Sequence, residues 1–199
     1  MSEGKIFVTG NTIVDAVYQN LKLAKNRDIK PLIQVDGYFL VTLHRQENVD
    51  NPEKLRAIMK GLELISEKFG KTIVYPINPR TRKRLRQYLI GTGEEIKLLE
   101  PTDYFTFLKL ESEAEMILTD SGGVQEEACI LKVPCVTLRN NTERPETVEV
   151  GANIVAGTNP KSVLEKVSIM MRRERKWMNP FGDGKASERI VEILSKSDA

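Results

Sequence analysis

Short apolar runs alternate with longer amphipathic stretches along almost the whole of this 199-residue chain. The alternation favours a parallel β-sheet with helices on both faces, because parallel strands need helical crossovers between them. The apolar runs predict strands at 38–43, 72–75, 96–99, 116–118, 134–138 and 153–156. The stretches between and after them predict helices near 51–70, 80–90, 103–113, 122–131, 160–175 and 185–196. We therefore predict an α/β fold: a three-layer, Rossmann-like domain with a parallel sheet.

The first 30 residues do not fit this repeat. Residues 5–9 predict a short strand, a helix follows at about 12–26, and the segment to Pro31 is polar and irregular. A lone strand and helix before a complete β/α unit is what the end of a preceding domain would look like. We expect residues 1–30 to be that end with its connector, in a chain that is the C-terminal part of something longer.

Composition excludes several classes of partner. A net charge of +2 is too small to indicate a nucleic acid or a membrane surface. No apolar run approaches the roughly 20 residues of a membrane span, and the first residues lack the apolar region of a signal peptide. Cys129 and Cys135 have no metal-ligand partners nearby in sequence, so we expect buried thiols, no metal and a cytoplasmic location.

The segment 119–128, with the sequence TDSGGVQEEA, is the main candidate site. It follows an apolar run and so predicts a strand, a tight turn and a helix. Gly122 and Gly123 allow bare backbone N–H groups to approach a ligand, and a helix N-terminus favours negative charge. Glu127 lies one turn inside the helix, within reach of a hydroxylated group. The segment indicates a phosphorylated small molecule.

Other candidates follow the remaining strands, at the edge where open parallel sheets bind ligands. His44, the only histidine, can donate to a phosphate oxygen, although a lone histidine is often structural. Its neighbour Arg45 could instead form a surface ion pair with Glu47, which would contribute little. Arg144, followed by a stiffening proline, is the better anion ligand of an irregular loop that could also be ordinary surface.

Three other patterns are weaker. The basic run 80–86 reads as a solvated helix start rather than a nucleic-acid patch, with Arg80 as the member placed to face the cleft. A Ser121–His44 catalytic dyad is disfavoured, and residues 182–187 resemble a phosphate-binding P-loop only superficially. There is no G-x-G-x-x-G motif, so a nicotinamide site is unsupported.

Taken together, five segments resemble one family, the non-hydrolysing UDP-N-acetylglucosamine 2-epimerases. They are TGNT at 9–12, HRQEN at 44–48, TDSGGVQEEA at 119–128, TERPE at 142–146 and GDGKAS at 182–187. The resemblance covers essentially the whole chain. It implies the GT-B glycosyltransferase fold, which has two Rossmann-like domains and nearly twice this length. This chain would then be the C-terminal half, with residues 31–199 as its UDP-binding domain.

The resemblance also implies an activity and a set of site residues. The family interconverts UDP-GlcNAc and UDP-ManNAc without a cofactor, by eliminating UDP to leave a 2-acetamidoglucal and adding it back. Donors matched to the charge that develops on UDP would lower the barrier. The residues implied to act on substrate are Ser121, Gly122 and Gly123 on the diphosphate, Glu127 on the ribose, Phe107 near the uracil, and His44 and Arg144 on the diphosphate and leaving UDP, with His44 as the catalytic one.

Two departures qualify this interpretation. Asn78 stands where the family often has a histidine, which leaves the role of its loop open. The family's acid and base carboxylates belong to the N-terminal domain, so we expect this chain alone to bind UDP weakly and not to epimerise. The full-length protein would be a homodimer. The alternatives are a GT-B glycosyltransferase domain, a hydrolysing epimerase domain, or a non-enzymatic module that binds a nucleotide sugar.

Overall fold

The computed structural model describes residues 6–197 and contains one six-stranded sheet in which every pairing is parallel. The strands are β1 (Tyr38–Thr42), β2 (Thr72–Pro76), β3 (Ile96–Leu99), β4 (Met116–Thr119), β5 (Cys135–Thr137) and β6 (Asn153–Val155). Their order across the sheet is β3-β2-β1-β4-β5-β6. β1 is therefore central: Leu40 lies between Val74 of β2 and Ile117 of β4.

The helices in this part of the chain follow the strands. They are α1 (Thr12–Ala24), α2 (Lys30–Ile33), α3 (Gln46–Val49), α4 (Pro52–Phe69), α5 (Pro79–Gln87), α6 (Tyr104–Glu113), α7 (Gly122–Leu131), α8 (Pro145–Glu149), α9 (Pro160–Met170) and α10 (Ala186–Ser197). The predicted three-layer, Rossmann-like domain with a parallel sheet is confirmed. None of the helices within 6–197 is both long and apolar enough to cross a membrane.

Alternating side chains of β1 enter two separate cores, because successive residues of a strand point to opposite faces. Phe39 and Val41 pack into the core formed with α4 and α9. Tyr38 and Leu40 pack into the core formed with α6 and α7 on the other face. Both faces of the sheet are covered, which explains why the strands read as continuous apolar runs in the sequence.

Helix α4 shows how local signals set its ends. The Asn51 side chain accepts from the N–H groups of Glu53 and Lys54, Pro52 occupies the first helical position, and Gly70 ends the helix with φ +60°. The predicted helix at 80–90 is shorter, since it ends at Gln87 and Leu89 has φ +52°.

The predicted strand at 5–9 is wrong for its described part. Residues 6–9 are irregular, and Lys5 lies outside the described residues. The side chains of Ile6, Phe7 and Val8 are exposed, and within 6–197 no strand pairs with this segment. An apolar, β-prone sequence forms a strand only when a partner completes its hydrogen bonds.

Helix α1 packs on the outer side of α6 and α7. Val14 and Val17 are fully buried there against Leu108 and Ile130. The buried Asp15 carboxylate accepts from the N–H groups at the start of α10, at 3.2 Å from Ala186 and 2.9 Å from Ser187. The division into residues 1–30 and 31–199 stays a prediction.

The two-core arrangement predicts a large cost for truncation in β1. Leu40 has 0% exposure, so we expect Leu40→Ala to lower the free energy of unfolding by about 2–5 kcal/mol through lost burial and a residual cavity. Leu89 is 91% exposed, and Leu89→Ala should change it by less than about 0.5 kcal/mol. Urea denaturation of both variants measures this. Equal costs would contradict the assignment of β1 to the centre of the core.

Candidate active site at the carboxyl ends of β1 and β4

The candidate site lies where the direction of strand addition reverses. From β1 the chain builds outward through β2 and β3, and then returns to place β4 on the other side of β1. The connections that leave β1 and β4 therefore diverge and open a crevice at their carboxyl ends. The sequence segments predicted to bind ligand, at 44–48 and 119–128, start at this crevice.

A buried carboxylate joins these two segments. Asp120, which is fully buried, accepts from the backbone N–H groups of His44 at 3.1 Å and of Arg45 at 3.0 Å. It also accepts from Nδ2 of Asn48 at 3.1 Å, and Asn48 donates in turn to the carbonyl of Leu138 at 2.9 Å. Asp120 and Asn48 together thus fix the loops after β1, β4 and β5 relative to one another.

The turn into α7 keeps its ligand-facing groups available. Thr119 Oγ1 lies 2.6 Å from Thr42 Oγ1 and accepts from the N–H of Ser121 at 3.0 Å. Ser121 is the N-cap residue of α7, but its hydroxyl makes no capping hydrogen bond. The first amides of a helix, here those of Gly122 and Gly123, have no acceptor within the helix. This end of α7 therefore presents a hydroxyl and backbone N–H groups with a favourable dipole for an anion.

Arg144 supplies a positive charge beside this turn. A β-carbon placed on Gly122 would lie 3.8 Å from Arg144 Cζ and 3.2 Å from Glu143 Oε2, a carboxylate that is paired with Arg45, so the guanidinium is close to the first residue of α7. Arg144 Nε lies 2.8 Å from Glu126 Oε1, which also accepts from Asn11 Nδ2 at 3.2 Å. The side chain of Arg144 is 35% exposed, so it is held in place while remaining accessible.

A cavity of about 250 Å³ adjoins the turn. His44 and Phe107 both line it, together with Val124, Asn78 and Thr102 among its ten lining residues. The side chain of His44 is partly exposed, with Nδ1 3.4 Å from Asp120 Oδ1. Mostly apolar walls with a few polar groups suit a flat ring such as a nucleobase.

Further along α7, Glu127 belongs to a second, buried polar cluster. It is 7% exposed, and Tyr104 Oη donates to its Oε1 at 2.8 Å. The neighbouring Glu111 of α6 is fully buried, and its carboxyl interacts with that of Glu127. Burial, and then the nearby Glu127 charge, raise the pKa of Glu111 well above its usual value. Burial also raises the pKa of Glu127, and this effect is opposed first by the hydrogen bond from Tyr104 and then by the neighbouring Glu111 carboxyl.

The structure thus brings several predicted residues together. Ser121, Gly122, Gly123 and Arg144 surround the start of α7, His44 and Phe107 share the adjoining cavity, and Glu127 lies within α7. The roles given to them remain predictions, because these contacts do not identify a ligand. Cys129 and Cys135 are buried free thiols, as expected. Within 6–197 there is no group of three or more His, Cys, Asp or Glu side chains that could hold a metal.

Other charged residues have partners that differ from the expected ones. Arg45 pairs with Glu143 at 2.8 Å rather than with Glu47. Glu47 instead accepts from Arg139 Nε at 2.6 Å. These pairs hold the loops after β1 and β5 together across the mouth of the crevice.

Arg80 does not extend into the cleft. It forms an ion pair with Asp50, which also pairs with Arg84 at 2.8 Å. The expectation that Arg80 faces the cleft is therefore not supported, because Asp50 holds its guanidinium and Arg80 does not line the cavity beside His44 and Phe107. Asn78 caps α5, accepting from the N–H of Arg80 at 2.9 Å.

Sequence reasoning missed the roles of Asp120, Tyr104 and Glu111. A detectable signal existed for each carboxylate: Asp120 follows the apolar run 116–118 with only Thr119 between, and Glu111 falls one turn after Leu108 on a buried helix face. Burial of a charged side chain at such a position is costly unless the side chain is hydrogen-bonded or paired, so its presence there indicates a specific partner.

The connection made by Asp120 predicts a selective effect of removing its charge. Asp120→Asn keeps the shape but places an NH₂ group against N–H donors, so we expect the free energy of unfolding to fall by about 1–3 kcal/mol. The control is Asp28→Asn at an exposed turn, where Asp28 accepts from the N–H of Lys30 at 3.0 Å. Asparagine makes the same turn, so that variant should lose less than about 0.5 kcal/mol. Thermal unfolding compares them, and similar losses would contradict the role of Asp120.

Comparison with known proteins identifies relatives of this chain. Residues 1–195 match the family described as UDP-N-acetylglucosamine 2-epimerase. The UDP-N-acetylglucosamine 2-epimerase of Methanocaldococcus jannaschii is 55% identical, over 98% of this chain and 56% of that protein. The corresponding protein of Methanococcus maripaludis is 50% identical, over 98% of this chain and 56% of its own length.

Solved structures give the same result. The crystal structure of the M. jannaschii enzyme in complex with UDP-GlcNAc and UDP has a TM-score of 0.89 and 56% identity, covering 98% of this chain and 56% of that one. The Neisseria meningitidis enzyme bound to UDP-GlcNAc has a TM-score of 0.83 and 34% identity, covering 98% and 57%. The chain spans just over half the length of these relatives, and it belongs to the UDP-N-acetylglucosamine 2-epimerase family.

Proposed function

We propose that this chain is the UDP-binding domain of a UDP-N-acetylglucosamine 2-epimerase, an isomerase that interconverts UDP-GlcNAc and UDP-ManNAc. The proposal rests on the start of α7, which lies where the direction of strand addition reverses. Ser121, two glycines and Arg144 converge there. The complex of the M. jannaschii relative with UDP-GlcNAc and UDP supports the choice of ligand.

The diphosphate binds at the start of α7. The hydroxyl of Ser121 and the N–H groups of Gly122 and Gly123 donate to its oxygens, and the Arg144 guanidinium adds a charge-assisted contact. A β-carbon at Gly123 would meet nothing closer than 4.0 Å, so there is open space directly above the turn. A larger side chain there would occupy the space that the phosphates need.

The two parts of the nucleoside, the uracil and the ribose, contact different residues. The uracil enters the cavity lined by Phe107 and His44, and the ribose hydroxyls donate to Glu127. A carboxylate can accept from both hydroxyls of a vicinal diol, which suits a ribose.

The chemistry makes UDP a leaving group. Negative charge grows on the diphosphate as the C1–O bond breaks, and donors already in place stabilise that charge without reorganising. His44 acts here by holding the leaving UDP, and Asp120 fixes its backbone. No redox cofactor is needed, because elimination and re-addition leave the oxidation state of the sugar unchanged overall.

The acid and base that move the proton at C2 come from outside this chain, in the N-terminal domain of the longer protein. The chain spans 56% of its relatives, which leaves room for such a domain. The full-length enzyme would be a cytoplasmic homodimer. A GT-B glycosyltransferase, a hydrolysing epimerase or a non-enzymatic module would share the UDP site, and analysis of the products of the full-length protein separates them.

Calorimetry with UDP tests the site. Loss of a hydrogen-bonded charge costs about 1.5–3 kcal/mol, so Arg144→Ala should weaken UDP binding roughly 10- to 100-fold and UMP binding less. The matched control is Arg80→Ala, which should leave binding unchanged because Arg80 lies outside the cavity lined by His44 and Phe107. If UDP binding survives both Glu127→Ala and Arg144→Ala, the site is wrongly placed.

A second experiment tests whether the reaction requires a domain outside this chain. The purified 199-residue chain, incubated with UDP-GlcNAc, should release neither UDP-ManNAc nor free UDP above the level of a blank, since it lacks the acid and base. Chromatography of the nucleotide sugars provides the measurement. Formation of UDP-ManNAc by this chain alone would show that the reaction needs no other domain.

A further inference from the structure

We propose that Glu111 is a positioning residue: its buried carboxylic acid donates a hydrogen bond to Glu127 and holds that carboxylate ionised and oriented for a ribose diol, which selects ribonucleotides over deoxyribonucleotides. The inference rests on the proposed function, because it assumes that the nucleoside of a UDP ligand reaches Glu127.

The Glu111 side chain is shielded from water and from well-placed hydrogen-bond partners. Its side chain is fully buried between α6 and α7, which pack against each other. Within 6–197, neither carboxyl oxygen has a partner that meets full hydrogen-bond geometry, and the group within its reach is the Glu127 carboxyl. An ionised carboxylate in such a place would cost several kcal/mol, so the group takes up a proton instead. Once protonated, it has one O–H to donate.

Of the two carboxyl groups, Glu111 holds the proton and Glu127 is ionised. Two carboxylates in contact cannot both ionise cheaply. Glu127 accepts from Tyr104 Oη at 2.8 Å, whereas Glu111 has no such donor. Burial and the Glu127 charge raise the pKa of Tyr104, so the phenol remains a donor at neutral pH. The arrangement with neutral Glu111 and ionised Glu127 therefore satisfies every donor.

Tyr104 and Glu111 are placed on α6 so that both can donate to the Glu127 carboxylate. Tyr104 and Glu111 are seven residues apart in α6, which places them on one face two turns apart. Both donors thus reach Glu127 from the same helix. A carboxylate has about four lone-pair sites. Two donors from α6 leave about two sites, the number that a vicinal diol needs. Without Glu111, the Glu127 carboxylate would lose one of the two contacts that fix its rotation.

The remaining groups around Glu111 are neutral or already paired. Tyr38 of β1 donates to the carbonyl of Leu110 at 2.6 Å, and burial raises the pKa of both Tyr38 and the Cys135 thiol of β5. Glu126 of α7 is matched by Arg144. The proton on Glu111 is thus controlled chiefly by burial and by Glu127.

The test compares Glu111→Gln with Glu111→Leu, using calorimetry with UDP and 2′-deoxy-UDP. Glutamine keeps a neutral N–H donor at the same position, so it should retain UDP affinity within about threefold and keep the preference for UDP. Leucine cannot donate, so UDP affinity should fall about tenfold while that of 2′-deoxy-UDP changes less than threefold. If the leucine variant retains the wild-type preference, the proposal is wrong.

Glu127→Gln separates failure of this inference from failure of the proposed function. If Glu127→Gln abolishes the preference for UDP while Glu111→Leu does not, the ribose site stands and the role of Glu111 is refuted. If neither substitution changes the preference, the ribose does not bind at Glu127, and the proposed site itself is wrong.

Stability against pH provides a reading that does not depend on ligand. The raised pKa of Glu111 means that the folded chain holds a proton that the unfolded chain releases above its ordinary pKa. Relative to Glu111→Gln, wild-type stability should therefore fall as pH rises above the ordinary pKa of a glutamate side chain. Glu111→Gln should show a flatter profile and be the more stable variant at pH 8. An identical slope in both proteins would show that Glu111 is not the buried acid.

Discussion

The site depends on one carboxylate enclosed by protein. Asp120 is fully buried at the end of β4, and its charge is satisfied by N–H groups from the loop after β1. Through Asn48 the same network reaches the loop after β5. Parallel strands share hydrogen bonds along their length but not beyond their ends, so the loops need a separate connection. A buried charge provides a strong one, because misplacing any donor would leave it unmatched.

Most of the fold could be predicted because periodicity is a local property. Residues close together in the sequence determine the strands of the sheet. The same holds for the ends of α4, which are set by Asn51, Pro52 and Gly70. The prediction failed for residues 6–9, which have strand-like composition but no neighbouring strand within the described chain. Whether a strand forms depends on a partner strand that can come from any part of the sequence, and local composition carries no information about that partner.

The convergence of the candidate residues was predictable, but the pairings among the charged ones were not. Strand ends predicted that His44 and Ser121 would lie near one another, since carboxyl ends share one edge of a parallel sheet. The partnerships of Arg45 with Glu143 and of Arg139 with Glu47 join segments more than 90 residues apart. Adjacent opposite charges suggested a local pair, but charged side chains on converging loops pair according to tertiary structure.

The packing of α1 bears on how far this domain can be reduced. Its valines Val14 and Val17 cover the outer surface of α6 and α7, and Asp15 holds the first turn of α10. A polypeptide started after α1 would expose that apolar surface to water and leave the amides of α10 uncapped. The helix that the sequence assigns to the end of a preceding domain therefore covers apolar surface of this one and caps its last helix.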